Sequence, residues 1–432
     1  MLLLITHYSS FITFLMRRSP LLVIFVTVFI NLIGFGIFIP LLPFYARSPQ
    51  FNASPRTIGL LFASYSIMQF LFSPLLGRLS DRYGRRPLLF LSMVGTGISF
   101  LILGAATTVW MLFAGRILDG ITGGNISIAQ AYVADVTRPE ERAKGMGIIG
   151  AAFGLGFTFG PLIGGFLSRW GISVPFFFAA GLSFVNAALI YFLLPETIGP
   201  EARLKHREAV SWKERYRQLA EPRLIFVLFI YFLFIVAFSI MTTVFALYTM
   251  YRFGYDAQAN GYLLAFIGVI AIIIQGGLIG RLTKLFGELR LIILGLLLLA
   301  LSLLAMPFIG PVVGGILALL AVLAVIAIGN SFATPTLTSL ASKSVSVENQ
   351  GGALGLTQSM ASLARVVGPL IGAVLIHSEM APQNMDDRSL LVTFWTAAGI
   401  TFAALFLAVY LVRTHKTIAT DQSNVEMAAT GM

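Results

Sequence analysis

Unbroken apolar runs of about twenty residues, the length that spans a hydrocarbon core of about 30 Å, recur along the whole chain. Twelve such runs are read at 20–44, 57–77, 87–107, 109–134, 143–168, 173–194, 223–250, 259–280, 290–309, 311–341, 350–377 and 390–412. They are continuous, whereas barrel strands would alternate polar and apolar positions, so they predict helices that satisfy their own backbone in lipid. Residues 1–16 are apolar but short, and Arg17 and Arg18 follow them. A signal peptide has its basic residues first, so 1–19 reads as a lead-in at the membrane surface.

Composition agrees, since 57% hydrophobic and 11% charged residues over 432 positions is too apolar for a water-soluble domain. Charge then orients the spans. With both ends of the chain inside, 22 of the 29 basic residues fall in cytoplasmic segments, five outside (Arg47, Arg56, Arg169, Arg252, Arg388) and two within spans (Arg116, Arg365). The net charge of +11 therefore reports topology, as the inside-positive rule requires. No nucleic acid partner is expected, because the cations are scattered over seven segments instead of forming one stripe. The absence of cysteine removes disulfides and thiolate metal sites. Four histidines without metal spacing, and no nucleophile beside a base, leave no catalytic constellation.

Two phrases repeat. The phrase from Gly77 through Asp81, Arg82, Gly84, Arg85 and Arg86 returns more weakly 203 residues later over 280–287, and Gly160-Pro161-Leu162-Ile163-Gly164 returns 208 residues on at 368–372. Two halves on one plan follow: bundles over 20–194 and 223–413, a polar linker over 195–222 and a tail over 414–432. The linker's mixed charge with Trp212 and Tyr216 fits an amphipathic surface helix or a flexible tether.

Between Gly77 and Arg86 the chain must reverse at the membrane surface, and glycines permit a turn and close helix approach. Asp81 can sit at the amino end of a neighbouring helix, and the arginines can pair with Asp135. Such contacts would latch the halves shut on the cytoplasmic side and break when it opens. In span five, glycines at 150, 154, 156, 160, 164 and 165 make a groove, and Pro161 removes a helical hydrogen bond.

Asp119 is the acid placed deepest, about ten residues or 15 Å into a span, where acids are rare and functional. Arg116 lies one turn away on the same face. Burial favours a neutral carboxyl and a guanidinium favours a charged one, so separating the two could trigger protonation. A permanent structural pair is the alternative. Arg365 has no acid nearby in sequence; it bonds helix carbonyls or faces a cavity and binds an anionic group. Asn31, Gln130, Gln275, Asn330 and Gln358 are weaker cavity candidates, since such residues usually join helices.

The loop after span two, with its glycines, aspartate and arginines, together with 154–165 in span five and 115–124 in span four, resembles the major facilitator superfamily. The likeness is to its twelve-span drug:proton antiporter branch, which includes the tetracycline efflux proteins. It implies an all-α membrane protein of twelve transmembrane helices in two pseudo-symmetric six-helix bundles. It further implies a cytoplasmic gate at Gly77, Asp81, Arg82, Gly84, Arg85, Arg86 and Asp135, and an antiporter motif at Gly156, Gly160, Pro161, Gly164 and Gly165. Proton coupling would rest on Asp119 and Arg116.

The chain departs from tetracycline-type relatives in span one, where Asn31 stands in place of an acid, which argues against tetracycline itself as cargo. The function so implied is proton-coupled efflux of a small amphipathic compound by alternating access. A facilitator or importer of a small, anionic metabolite is the runner-up, and a transport-incompetent receptor or scaffold the reading from another class. The small-molecule substrate and the lipid bilayer are the expected partners, and protons the coupling ion with no cofactor. The expected form is a monomer in the plasma (inner) membrane with both termini cytoplasmic.

Overall fold

The computed structural model describes residues 20–137, 142–197, 221–345, 350–376 and 387–430. The lead-in 1–19 and the surface helix expected around Trp212 and Tyr216 lie outside the described residues. The first half comprises α1 (Pro20–Arg47), α2 (Pro55–Tyr83), α3 (Arg85–Gly104), α4 (Val109–Thr122), α5 (Asn125–Val136), α6 (Arg142–Leu167) and α7 (Val174–Leu193). The second comprises α8 (Pro222–Phe253), α9 (Ala257–Ile273), a π turn (Ile274–Leu278), α10 (Ile279–Phe286), α11 (Glu288–Ala305), α12 (Gly315–Lys343), α13 (Gln350–Leu375) and α14 (Asp387–Thr430). Taking α4 with α5, and α9 with the π turn and α10, gives twelve rods, six in each half.

Local chemistry starts and stops them. Ser54 caps α2, Thr108 caps α4 and Asp256 caps α9, each side chain accepting a backbone N–H of the first turn. Among the described residues, eleven helices are long and apolar enough to cross a bilayer. The fourth rod falls short of that test because it breaks at Gly123 and Gly124 into helices of 14 and 12 residues. Gln69 Nε2 on α2 donates to the Gly123 carbonyl at 3.0 Å, which satisfies backbone that a broken helix would leave bare in lipid. Near 77–86, α2 runs on to Tyr83, and the reversal falls on Gly84 alone, at φ 109°. Its repeat partner Gly287 has φ 78°. Gly77 is helical, and a β-carbon there would meet nothing within 4 Å, so the close approach expected at that glycine is not made.

The twofold plan holds at atomic detail. Tyr45 OH donates to the Leu103 carbonyl at 3.0 Å, and Tyr248 OH, 203 residues on, donates to Met306 at 3.0 Å and Ile309 at 2.7 Å. Gly160 rests on Gly36 of α1, and Gly368 rests on Ser239 of α8.

The halves meet mainly through α6 against α9 and α2 against α13, and they do so unevenly along their length. At the end remote from the 77–86 turn, Gly59 packs on Pro369 and Ala373, Gly165 on Gly261, and Arg169 Nη2 donates to Tyr262 OH at 2.8 Å. Arg47 also stands 5.6 Å from the Tyr251 ring centroid across the same seam. At the basic end, a β-carbon on Gly77, Gly150, Gly154, Gly276, Gly280 or Gly355 would meet nothing within 4 Å. The bundles are closed at the remote end and splayed at the basic end.

Candidate substrate and proton site

Arg116 and Asp119 lie on one face of α4, and Arg116 Nη1 is 2.8 Å from Asp119 Oδ2. Both are buried, with Arg116 only 1% exposed, so their charges must be matched inside the protein. The guanidinium carbon lies 3.7 Å from the Phe38 ring centroid and 4.2 Å from that of Tyr65. Its Nε and Nη2 have no hydrogen-bond acceptor among the described residues, and the two ring faces take that place through cation–π attraction. Tyr65 OH accepts a bond from Gln69 Nε2 at 2.8 Å. Gln69 thus ties the ring beside Arg116 to the break in the fourth rod. Thr96 and Ser99 of α3 lie near the Asp119 carboxyl group, and the Ser99 hydroxyl donates to the Thr96 carbonyl at 2.7 Å.

Across the seam stands Arg365 of α13. It is half-buried and acts electrostatically on Tyr65 of the first half and Tyr231 of its own. The register agrees, because antiparallel packing of Gly59 on Pro369 and Ala373 places Tyr65, six residues further along α2, level with Arg365. The two intramembrane arginines, far apart in sequence, therefore share one tyrosine in the centre of the molecule.

The basic turn forms a second cluster. Arg85 bonds Asp81 Oδ1 at 2.5 Å, Asp135 Oδ2 at 3.0 Å and Ser80 Oγ at 2.6 Å. The expected pairing with Asp135 is made, by Arg85. Arg86 donates to the Tyr191 carbonyl and Arg82 lies over the Tyr83 ring. One expectation is corrected. Asp81 does not occupy a helix amino end; Glu196 does, accepting the N–H groups of Arg85 at 2.9 Å and Arg86 at 3.3 Å. In this splayed conformation the described contacts of Asp81, Arg82, Arg85, Arg86 and Asp135 stay in the first half, the condition in which a latch that breaks when this side opens would be undone. The second half repeats the cluster with charges exchanged: Glu288, the counterpart of Arg85, accepts from Lys343 Nζ at 2.7 Å and Ser339 Oγ at 2.6 Å.

In α6, a β-carbon on Gly160 would lie 2.6 Å from Gly36 Cα, and one on Gly164 3.2 Å from Ile37 Cα, while Gly156 packs on Leu32. Pro161 also touches this strip, its Cδ lying against Gly36. Gly165 faces the other way, onto Gly261 of the second half. Gly150 and Gly154 face open space, so the expected groove is limited to the stretch from Gly156 onward. Of the weaker candidates, Asn31 Nδ2 donates to Asn125 Oδ1 at 3.0 Å, Gln275 Nε2 to Ser331 Oγ at 3.4 Å, and Asn330 Oδ1 accepts from Thr334 at 3.2 Å. Gln130 and Gln358 are half-buried. Sequence reasoning missed Phe38, Tyr65, Gln69, Tyr231 and Glu196. Tyr65 and Gln69 left one trace, a polar pair four residues apart on an apolar span.

Two six-rod bundles closed against each other at one end, with an ion pair buried in the first, define a membrane carrier of small molecules and not an enzyme. The Major Facilitator Superfamily model matches residues 24–369 and 276–429, and the chain belongs to that family. It is 34% identical to the class B tetracycline resistance protein of Escherichia coli over 84% of this chain and 90% of that protein. It is 31% identical to multidrug resistance protein 2 of Bacillus subtilis (strain 168), over 83% of this chain and 89% of that protein. Among solved structures, the human organic anion transporter MFSD10 (TETRAN) superposes with a TM-score of 0.66 at 25% identity, covering 91% of this chain and 99% of that one. The nucleoside transporter NupG superposes at 0.67 with 16% identity, covering 90% and 99%, and shares the fold.

Proposed function

We propose that this transporter exports small amphipathic compounds against an inward flow of protons, with Asp119 as the group that takes up and releases the proton. The observation that carries the reading is the Arg116–Asp119 pair buried inside the first half, behind Tyr65 of α2, the helix that meets the second half. A carboxyl group there changes charge only when its guanidinium partner, its solvent access or both change, which is how rocking bundles would couple to a proton. Relatives that are tetracycline and multidrug resistance proteins support an amphipathic cargo. The basic end is cytoplasmic by the inside-positive rule, with both termini there, in the plasma membrane. On that assignment the conformation described is open to the cytoplasm. The working unit is a monomer, bundles over 20–194 and 223–413 joined by the linker 195–222; Gly156, Gly160 and Gly164 hold α6 against α1 as one rigid body, and the Pro161 carbonyl and Gly165 carry the contact with Gly261 of the other bundle.

The test is flux of amphipathic dyes of positive, zero and negative charge in proteoliposomes with and without a pH gradient. The gradient is expected to drive accumulation by the wild type and not by Asp119→Asn, which keeps gradient-free exchange of the same dye. Equal gradient-driven flux in both proteins would sink the assignment.

A further inference from the structure

We propose that Arg365 is the subsite for an anionic group on the cargo, so that the compounds carried are amphipathic organic anions with an aromatic or apolar body. The inference rests on the transport reading above and names the substrate class of the same cleft.

The charges in the centre of the molecule do not cancel. Arg116 is paired with Asp119 at 2.8 Å, and Asp119 is the only acid in mid-membrane along the sequence. Arg365 makes one long side-chain bond, Nη2 to Ser362 Oγ at 3.4 Å, and its buried Nε has no acceptor among the described residues. Among the described residues it forms no ion pair with an acid, and the phenols of Tyr65 and Tyr231 are near it. A guanidinium deep in a membrane protein pairs with a counter-charge or lines a pathway, and this one lies where the two halves meet. It offers a planar fork of donors suited to carboxylate, sulfonate or phosphonate oxygens.

The walls suit the remainder of such a molecule. Tyr65 packs on Phe35 at 5.5 Å between ring centroids, and Phe35 on Phe157 at 5.7 Å. An anion on Arg365 would sit where α13 meets α2 of the other half, next to the ring that flanks Arg116. Cargo and proton site would then communicate through Tyr65, whose ring faces Arg116 and whose hydroxyl is held by Gln69.

The experiment uses 1-naphthoate and its neutral isostere 1-naphthamide as probes, with the full chain in nanodiscs, read by isothermal titration in the absence of any gradient. Wild type is expected to bind naphthoate more tightly than naphthamide. Arg365→Ala should weaken naphthoate by about tenfold or more, the factor a lost charge-assisted hydrogen bond carries, and leave naphthamide unchanged. Arg365→Lys, which keeps the charge, should retain most of the preference and serves as the variant least exposed to misfolding. Equal binding of the two probes by wild type, or equal weakening of both by Arg365→Ala, overturns the proposal. Because binding is measured without a pH gradient, failure of proton coupling at Asp119 would leave the preference for naphthoate intact, and the two readings fail separately.

Discussion

Replacing Gly261 by alanine offers a direct test of how the halves are held. The new β-carbon would lie 2.6 Å from the Pro161 carbonyl oxygen and 2.8 Å from Gly165 Cα, the latter about 1 Å inside the optimal separation of roughly 3.5–4.0 Å between carbon atoms. Both neighbours are backbone, so no side chain can swing aside and the helices must part. Overpacking of this kind costs about 1–3 kcal/mol. Since α6 and α9 belong to different halves, that cost falls only on the state closed at the remote end, and it shifts the equilibrium toward the alternate state by roughly 5- to 150-fold.

The chain has no cysteine, so spin labels can be placed at Leu75→Cys and Leu278→Cys, exposed positions 203 residues apart at the basic ends of the two halves. Pulsed dipolar spectroscopy should show the separation shift to shorter distances in Gly261→Ala. Gly160→Ala is the control, because its β-carbon would strike Gly36 Cα at 2.6 Å and the Ile33 carbonyl at 2.8 Å within one half. That variant should lower thermal stability in both states and leave the distances alone. An unchanged distribution in Gly261→Ala, with unchanged stability, would refute the claim that the remote seal rests on backbone contact between α6 and α9.

Gly84→Ala places a β-carbon at φ 109°, where strain of about 1–3 kcal/mol is expected; a fall in melting temperature relative to Gly77→Ala, which faces open space, checks it. Glu196→Ala removes the acceptor of the first two N–H groups of α3 and should cost about 0.5–2 kcal/mol, read as faster hydrogen exchange at Arg85 and Arg86.

Much of this organisation was legible in the chain because it follows from solvent. A segment that must satisfy its backbone in lipid has to be a helix of about twenty apolar residues, so the rods could be read off composition and run length. The repeats at 203 and 208 residues told of two like halves, and Asp119 with Arg116 stood out because charge at that depth is costly. The span-four break at Gly123 and Gly124 was harder to read, since paired glycines are as often a packing surface as a break. Glu196 went unnoticed because nothing local distinguishes an acid that caps a helix over a hundred residues away from one that faces water.

The sequence by itself determined the solvent, the helices, the duplicated plan and the buried ion pair, because each follows from the free energy of placing polar groups and backbone in hydrocarbon. Only the tertiary structure decided which residues surround that pair, that Arg365 reaches the same tyrosine from the other half, and that the basic-end contacts stay within each half. Those outcomes depend on the register between helices far apart in the chain. Register is set by close packing at small residues such as Gly160 on Gly36 and Gly165 on Gly261, and van der Waals complementarity between distant segments leaves no periodic mark on either one.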